Sequence, residues 1–162
     1  LPFLGEHSDL NIQSKLSYCI KLKEKQFLFA ADSNNLDSSL YDNIFSYIGS
    51  IDMLFLGMEC DGAPLTWLYG PLLSTPLKRT HDRNRTLSGS NFEKAWKIVE
   101  KSNCKAAYVY AMGQEPWLSY IMALKYLPES IQIVESDKFV QVCKDNGIES
   151  ERLFGRKEWV IE

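Results

Sequence analysis

The chain changes its hydrophobic rhythm within its first thirty-one residues. SKLSYCIKL (14 to 22) alternates apolar and polar positions, with Leu16, Tyr18, Ile20 and Leu22 on one face. That period of two predicts a half-buried strand. A polar KEK follows, and QFLFAA (26 to 31) returns as a more continuously apolar run, so the two segments read as a hairpin. The rhythm then becomes helical. Leu40, Ile44, Phe45 and Ile48 share a face, and Gly49 stands where a C-terminal cap belongs. After its leading Asp52, DMLFLG (52 to 57) is an apolar run too short for a helix, which predicts a buried strand.

Residues 58 to 88 have no regular period and contain Pro64, Pro71 and Pro76. A connection of that length is usually functional or a lid. Ser90 and Glu93 make a capping-box pattern ahead of FEKAWKIVEK, whose Phe92, Ala95, Trp96 and Val99 form one face. KAAYVYAM (105 to 112) reads as another strand, broken by Gly113. Pro116 stands near the start of a helix carrying Leu118, Ile121, Met122 and Leu124. A further helix is expected over about 136 to 146, with Ser136 as N-cap and Gly147 as its stop. ERLF and EWVIE, joined at Gly155, read as a closing hairpin of short strands. This order predicts an α/β, or mixed α+β, layered fold.

Composition narrows the picture. With 162 residues and 45% hydrophobic content, the chain is one domain or part of a larger one, with a real core. The net charge of −3 and pI near 5.5 lack the basic footprint of a nucleic-acid binder. The one local basic cluster, LKRTHDRNR (77 to 85), holds Lys78, Arg79, Arg83 and Arg85 but is interrupted by Asp82. It reads as a solvated loop, or as a contact for an anionic partner such as a phosphate-bearing substrate carrier. Cys19, Cys60, Cys104 and Cys143 form no CxxC pair, and no apolar run is long enough to span a bilayer. A cytoplasmic protein with reduced thiols, without nucleic-acid or membrane partners, is expected. The chain opens on Leu1, not Met, which hints at a piece of something longer.

The candidate chemistry lies at strand ends. Asp32 ends the second strand, Glu59 follows the third, and Gln114 and Glu115 follow KAAYVYAM. Ligands of open α/β sheets gather at the carboxyl ends of strands. Carboxylates collected on one rim repel each other unless a multivalent cation joins them. Each also has a purely local reading: an aspartate after a strand caps the next turn, and an acid beside Pro116 suits a first helical turn. PFLGEHSDL adds Glu6, His7 and Asp9, three potential ligands in a short turn behind Gly5. His81 lies in the polar loop, where solvation is its ordinary role.

Taken in order, these segments resemble the C-terminal half of a metallo-β-lactamase-fold protein. FLFAADS resembles the strand of that family whose terminal aspartate bridges two metals, and GEHSDL falls where its preceding ligand loop belongs. Hydrolases of the family usually place a histidine in that loop. Glu6 followed 26 residues later by Asp32 is closer to a branch with glutamate there, the diiron β-hydroxylases of non-ribosomal peptide synthesis typified by the chloramphenicol-pathway enzyme. DMLFLGMECDGAPLTWLYGPL and YVYAMGQEPWLSYI fit the same branch. A carboxylate in place of a histidine hardens the site toward iron or manganese, and an electron-rich iron pair suits O₂ activation, where a zinc pair suits hydrolysis.

The resemblance implies an αββα sandwich of which residues 1 to 162 form the second half. The family's H-x-H-x-D-H motif is absent from this sequence, so the chain alone is expected to be inactive. The implied activity is β-hydroxylation of an amino acid held as a thioester on a peptide-synthetase carrier domain, using O₂ and an external electron donor. Two iron ions are implied as cofactor, with zinc or manganese as alternatives. Asp32 would bridge the metals and Glu6 would ligate one, with His7 as its rival and either His81 or a residue beyond Glu162 as a substitute for the family's last histidine. Glu59 would be a supporting or substrate-facing carboxylate. Trp67 and Tyr69 would wall the pocket, or simply anchor their loop. A zinc hydrolase and a non-catalytic interaction module are the competing functions.

Overall fold

A computed structural model describes residues 16–62, 70–75, 89–117, 120 and 125–161. Among them, one five-stranded sheet carries helices on one face. Strands β1 (Tyr18–Leu22) and β2 (Lys25–Ala31) form the expected antiparallel hairpin, turning through Lys23 with φ of 53°. The strands β3 (Met53–Gly57), β4 (Ala106–Tyr110) and β5 (Glu149–Arg152) then add in sequence order, each parallel to its neighbour, as β2 is to β3. Between them run α1 (Ser39–Ile48), α2 (Phe92–Ser102) and α3 (Ile131–Asp145), and a 3₁₀ turn spans Gly70–Leu72.

Alternation along the strands sorts the core. Leu28, Ala30, Leu54, Leu56, Ala107 and Val109 point to the helical side, where they pack with Ile98, Phe139 and Cys143. Leu54, Leu56, Ala107, Val109 and Phe139 are completely buried there. The intervening positions, Phe27, Phe29, Phe55, Tyr108 and Tyr110, point to the other face. No described helix covers that face. Phe29 stacks on Phe55 at 4.5 Å, and Trp159 stands edge-on to Phe55 at 5.6 Å. The apolar stripe of β1 belongs to the same face, so Tyr18, Ile20 and Leu22 are 48–60% exposed where the sequence pattern predicts a half-buried strand.

Strand starts are tied together at Asp52. Its carboxylate accepts from the Gln26 backbone N–H at 3.0 Å, and its own N–H donates back to the Gln26 carbonyl at 2.8 Å. Its carbonyl accepts from the N–H groups of Lys105 and Ala106. One residue therefore fixes where β2, β3 and β4 begin.

Three further predicted features differ. The N-cap of α2 is Asn91, whose side chain accepts from Lys94 N–H at 3.1 Å; Ser90 instead turns inward, fully buried, and its hydroxyl donates to the Ser33 carbonyl at 2.6 Å. The last helix begins five residues before the expected start. Ser136 lies inside it, buried, donating to the Ile133 carbonyl, while Ser130 holds the N-cap position. Its early turn hides from a periodicity search because Ile131 and Val134 face solvent while Gln132 is buried. Finally, the closing hairpin does not form. β5 joins the sheet parallel to β4, and residues 153 to 161 have no strand structure. Residues 158 to 161 are held by side-chain donors instead: Trp159 Nε1 donates to the Tyr108 hydroxyl, and Lys23 Nζ donates to the Ile161 backbone carbonyl.

The four cysteines are free thiols. No helix among the described residues is long and apolar enough to cross a membrane.

Candidate metal centre

Because β2, β3 and β4 are parallel, their carboxyl ends share one rim. Asp32 emerges there through an irregular backbone. The β2–β3 register shifts between Phe29 and Ala31, and Ala31 adopts φ of 51°. A left-handed alanine costs roughly 1 kcal/mol. The bulge and the left-handed residue re-aim the chain just before the carboxylate, as bulges beside functional sites often do. Asp32 itself is exposed on the rim.

The polar run after Asp32 has its own task. Besides the Ser90–Ser33 bond, Asn35 Nδ2 donates to the Lys94 carbonyl at 2.9 Å and Lys94 Nζ donates to Asn34 at 2.6 Å. Ser33, Asn34 and Asn35 thereby fasten the loop to the start of α2. These polar residues moor the turn, and of residues 32 to 35 only Asp32 is exposed.

Two glycines shape the floor beneath it. Gly57 ends β3, opposite Tyr110 of β4. A Cβ on Gly57 would fall 2.3 Å from Asp32 Oδ1, so the carboxylate lies across the strand where a side chain would be. Gly89 backs onto the same peptide; a Cβ there would meet the Gly57 carbonyl at 2.9 Å, and its N–H donates to the Glu59 carbonyl at 2.8 Å. Tyr110 closes the far side. Burial, and then the Asp32 charge, raise its hydroxyl pKa above the usual tyrosine value, which places that hydroxyl in the field of the carboxylate.

Glu59 lies on the same rim after β3, and the Tyr126 hydroxyl donates to its Oε1 at 2.5 Å. Next to it the Cys60 thiol is pushed up, first by burial and then by Glu135, with smaller contributions from Asp61 and Glu59. Glu115 is partly buried after β4. Glu6, His7, Asp9, His81, Trp67 and Tyr69 lie outside the described residues. Among the described residues no group of three or more His, Cys, Asp or Glu is gathered for a metal ion. What the rim offers is one carboxylate in a prepared cradle, an oxygen donor suited to a hard cation. That fits a metal-bridging aspartate whose co-ligands come from elsewhere.

Sequence reading did not anticipate Gly57, Tyr110 or Tyr126. Gly57 carried a signal, a glycine closing an apolar strand. Tyr126 carried none, because its partner is 67 residues away.

No protein-family model matches the chain. Its sequence is 46% identical over 157 residues, 97% of the chain, to the 4-amino-L-phenylalanyl-[CmlP-peptidyl-carrier-protein] 3-hydroxylase of Streptomyces venezuelae. The crystal structure of CmlA, a diiron β-hydroxylase from Streptomyces venezuelae, superposes with a TM-score of 0.83 at 46% identity over 94% of the chain. The chain is a homologue of one stretch of a diiron β-hydroxylase. A glutamate-to-aspartate variant of CmlA matches with a TM-score of 0.78 over 95% of the chain. The chain spans about 30% of the length of these relatives. The mixed α/β architecture and the resemblance read from the ordered motifs are borne out by these matches.

Proposed function

We propose that this chain is part of a dinuclear-iron oxygenase that hydroxylates the β-carbon of an amino acid carried as a thioester on a peptidyl carrier domain, in the cytoplasm. The observation that carries the reading is 46% identity across 97% of the chain to a hydroxylase named for a carrier-bound aminoacyl substrate. The reaction inserts one atom of O₂ into a C–H bond and releases the other as water. The accompanying two electrons and two protons come from an external donor. Bound iron would supply the O₂ chemistry.

The residues of this chain position. Asp32 would bridge the irons and Glu6 would ligate one, with the H-x-H-x-D-H set from sequence outside this chain and the place of the family's last histidine taken by His81 or by a residue outside this chain. The Ser33–Asn35 mooring fixes the backbone beside Asp32, and Gly57 leaves the space that its Oδ1 occupies. Such fixing is how a site keeps donors within about 0.5 Å of productive geometry. The Tyr126–Glu59 hydrogen bond holds a second carboxylate on the same rim, in place to orient substrate.

Metal analysis of the purified full-length protein tests the reading. Two irons per protein, with the absorption of an oxo-bridged pair, are expected; colourless protein with stoichiometric zinc would assign it to the hydrolases. Asp32→Ala and Glu6→Ala should each abolish iron binding, whereas His7→Ala should largely spare it. Equal loss from Glu6→Ala and His7→Ala would overturn the Glu6 assignment.

A further inference from the structure

Gly57 has no conformational reason to be glycine. It stands in regular parallel pairing at the end of β3, and its φ lies outside the left-handed region. Gly49, Gly147 and Gly155 are the reverse, with positive φ and open space around the missing Cβ. At Gly57 the requirement is room. The atom that would be struck is Asp32 Oδ1, at 2.3 Å, with Asp32 Cγ at 3.5 Å and the Ala31 carbonyl oxygen at 3.4 Å. The other contacts are ordinary, so the space left by the missing side chain is filled by one carboxylate oxygen.

The carboxylate ends a side chain exposed on the rim, so it can escape a new Cβ only by leaving the position it now holds. Its own backbone is set by the left-handed Ala31 on one side and the loop moored to α2 on the other. The Gly57 peptide cannot recede, because Gly89 packs against its carbonyl. Tyr110 of β4 pairs with Gly57 on the far side. Restoring an ordinary 3.4 Å contact to a new Cβ would displace Oδ1 by roughly 1 Å, about twice the tolerance of a preorganised site.

We propose that Gly57 is a positioning residue for the metal-facing carboxylate of Asp32, with Gly89 as the backing that makes the position rigid. The inference rests on the reading of Asp32 as an iron ligand. Both glycines act through Asp32.

The experiment compares Gly57→Ala, Asp32→Ala, the double variant and Leu54→Ala in the full-length protein. Leu54 is completely buried on the helical side of the same strand and serves as a control for general destabilisation. Gly57→Ala should lose about 10- to 100-fold in iron affinity, the usual effect of disturbing a group that orients a ligand, with a changed electronic spectrum of any iron retained. Leu54→Ala should keep two irons and an unchanged spectrum in its folded fraction. Thermal melts of the four metal-free combinations at positions 57 and 32 supply a readout independent of iron. Gly57→Ala should lower the midpoint when Asp32 is present and lower it much less in the Asp32→Ala background, because the clash is gone. That cycle needs only residual folding of the single variant. Full iron and an unchanged spectrum in Gly57→Ala, or equal destabilisation in both backgrounds, would overturn the proposal. Full iron in Asp32→Ala would instead overturn the ligand reading beneath it, so the two failures are distinguishable.

Discussion

Asp52 offers a quantitative test of how the rim's strands are held in register. Asp52→Ala removes the charged acceptor of the Gln26 N–H at 3.0 Å and the ion pairs with Lys105 at 3.1 Å and Lys25 at 3.8 Å. A hydrogen bond to a charged group contributes about 1.5–3 kcal/mol. The lysines are well exposed, at 79% and 41%, so their pairs add only about 0–1 kcal/mol. The expected loss is therefore about 2–3 kcal/mol, mostly from one backbone N–H. Asp52→Asn keeps an acceptor at the same place and should lose about 1 kcal/mol, since neutral bonds are roughly half as strong. In urea, with a slope of about 2 kcal/mol/M, the alanine midpoint should fall by about 1 M with the slope unchanged.

The sign with pH follows from the same contact. The Gln26 N–H, ahead of Lys105 and Lys25 and against the burial penalty, holds the Asp52 carboxyl below its ordinary value of 3.8. Stability from that lowered pKa is present above the unfolded value and lost as pH falls through the folded one. The advantage of the native residue over asparagine should therefore shrink below about pH 4. Equal midpoints for Asp52→Ala and Asp52→Asn would refute the reasoning, because charge rather than the amide contact would then be deciding.

Two further outcomes check the core. Phe139→Ala empties a completely buried ring position under the sheet and should cost about 3–5 kcal/mol in chemical denaturation; a loss below about 1 kcal/mol would mean that the α3 packing described above is wrong. A disulfide-exchange reagent at pH 8 should label exposed Cys19 within the native state, while Cys104 and Cys143 react only after denaturant is added. Burial raises both of those thiols, Cys143 to about 12, so thiolate and access are withheld together.

The sequence made the sheet legible because its strands obey two simple patterns, alternation in β1 and continuous apolarity in β3 and β4. The start of α3 was hidden because its first turn buries Gln132 and exposes Ile131, inverting the usual pattern. EWVIE looked like a strand because strand propensity says nothing about whether an edge is available; Trp159 packs across the aromatic face instead. At the site, Asp32 was conspicuous as an acid ending an apolar run. What holds it was not, because the moorings to Ser90 and Lys94 join residues more than fifty positions apart. Gly57 illustrates the same limit: the identity of the atom filling its empty volume comes only from three dimensions.

The aromatic side of the sheet has a practical consequence. Phe29, Phe55, Tyr110 and Trp159 rim a basin of about 480 Å³ with Ile20 and Leu22 at its lip. An open apolar surface of this kind favours self-association in water. Produced by itself, the polypeptide should be limited by solubility before it is limited by stability, and mild detergent should help more than added salt. Trp159, hydrogen-bonded to Tyr108 and edge-on to Phe55, places a fluorophore within that basin, so its emission should shift to the blue whenever something dry settles there.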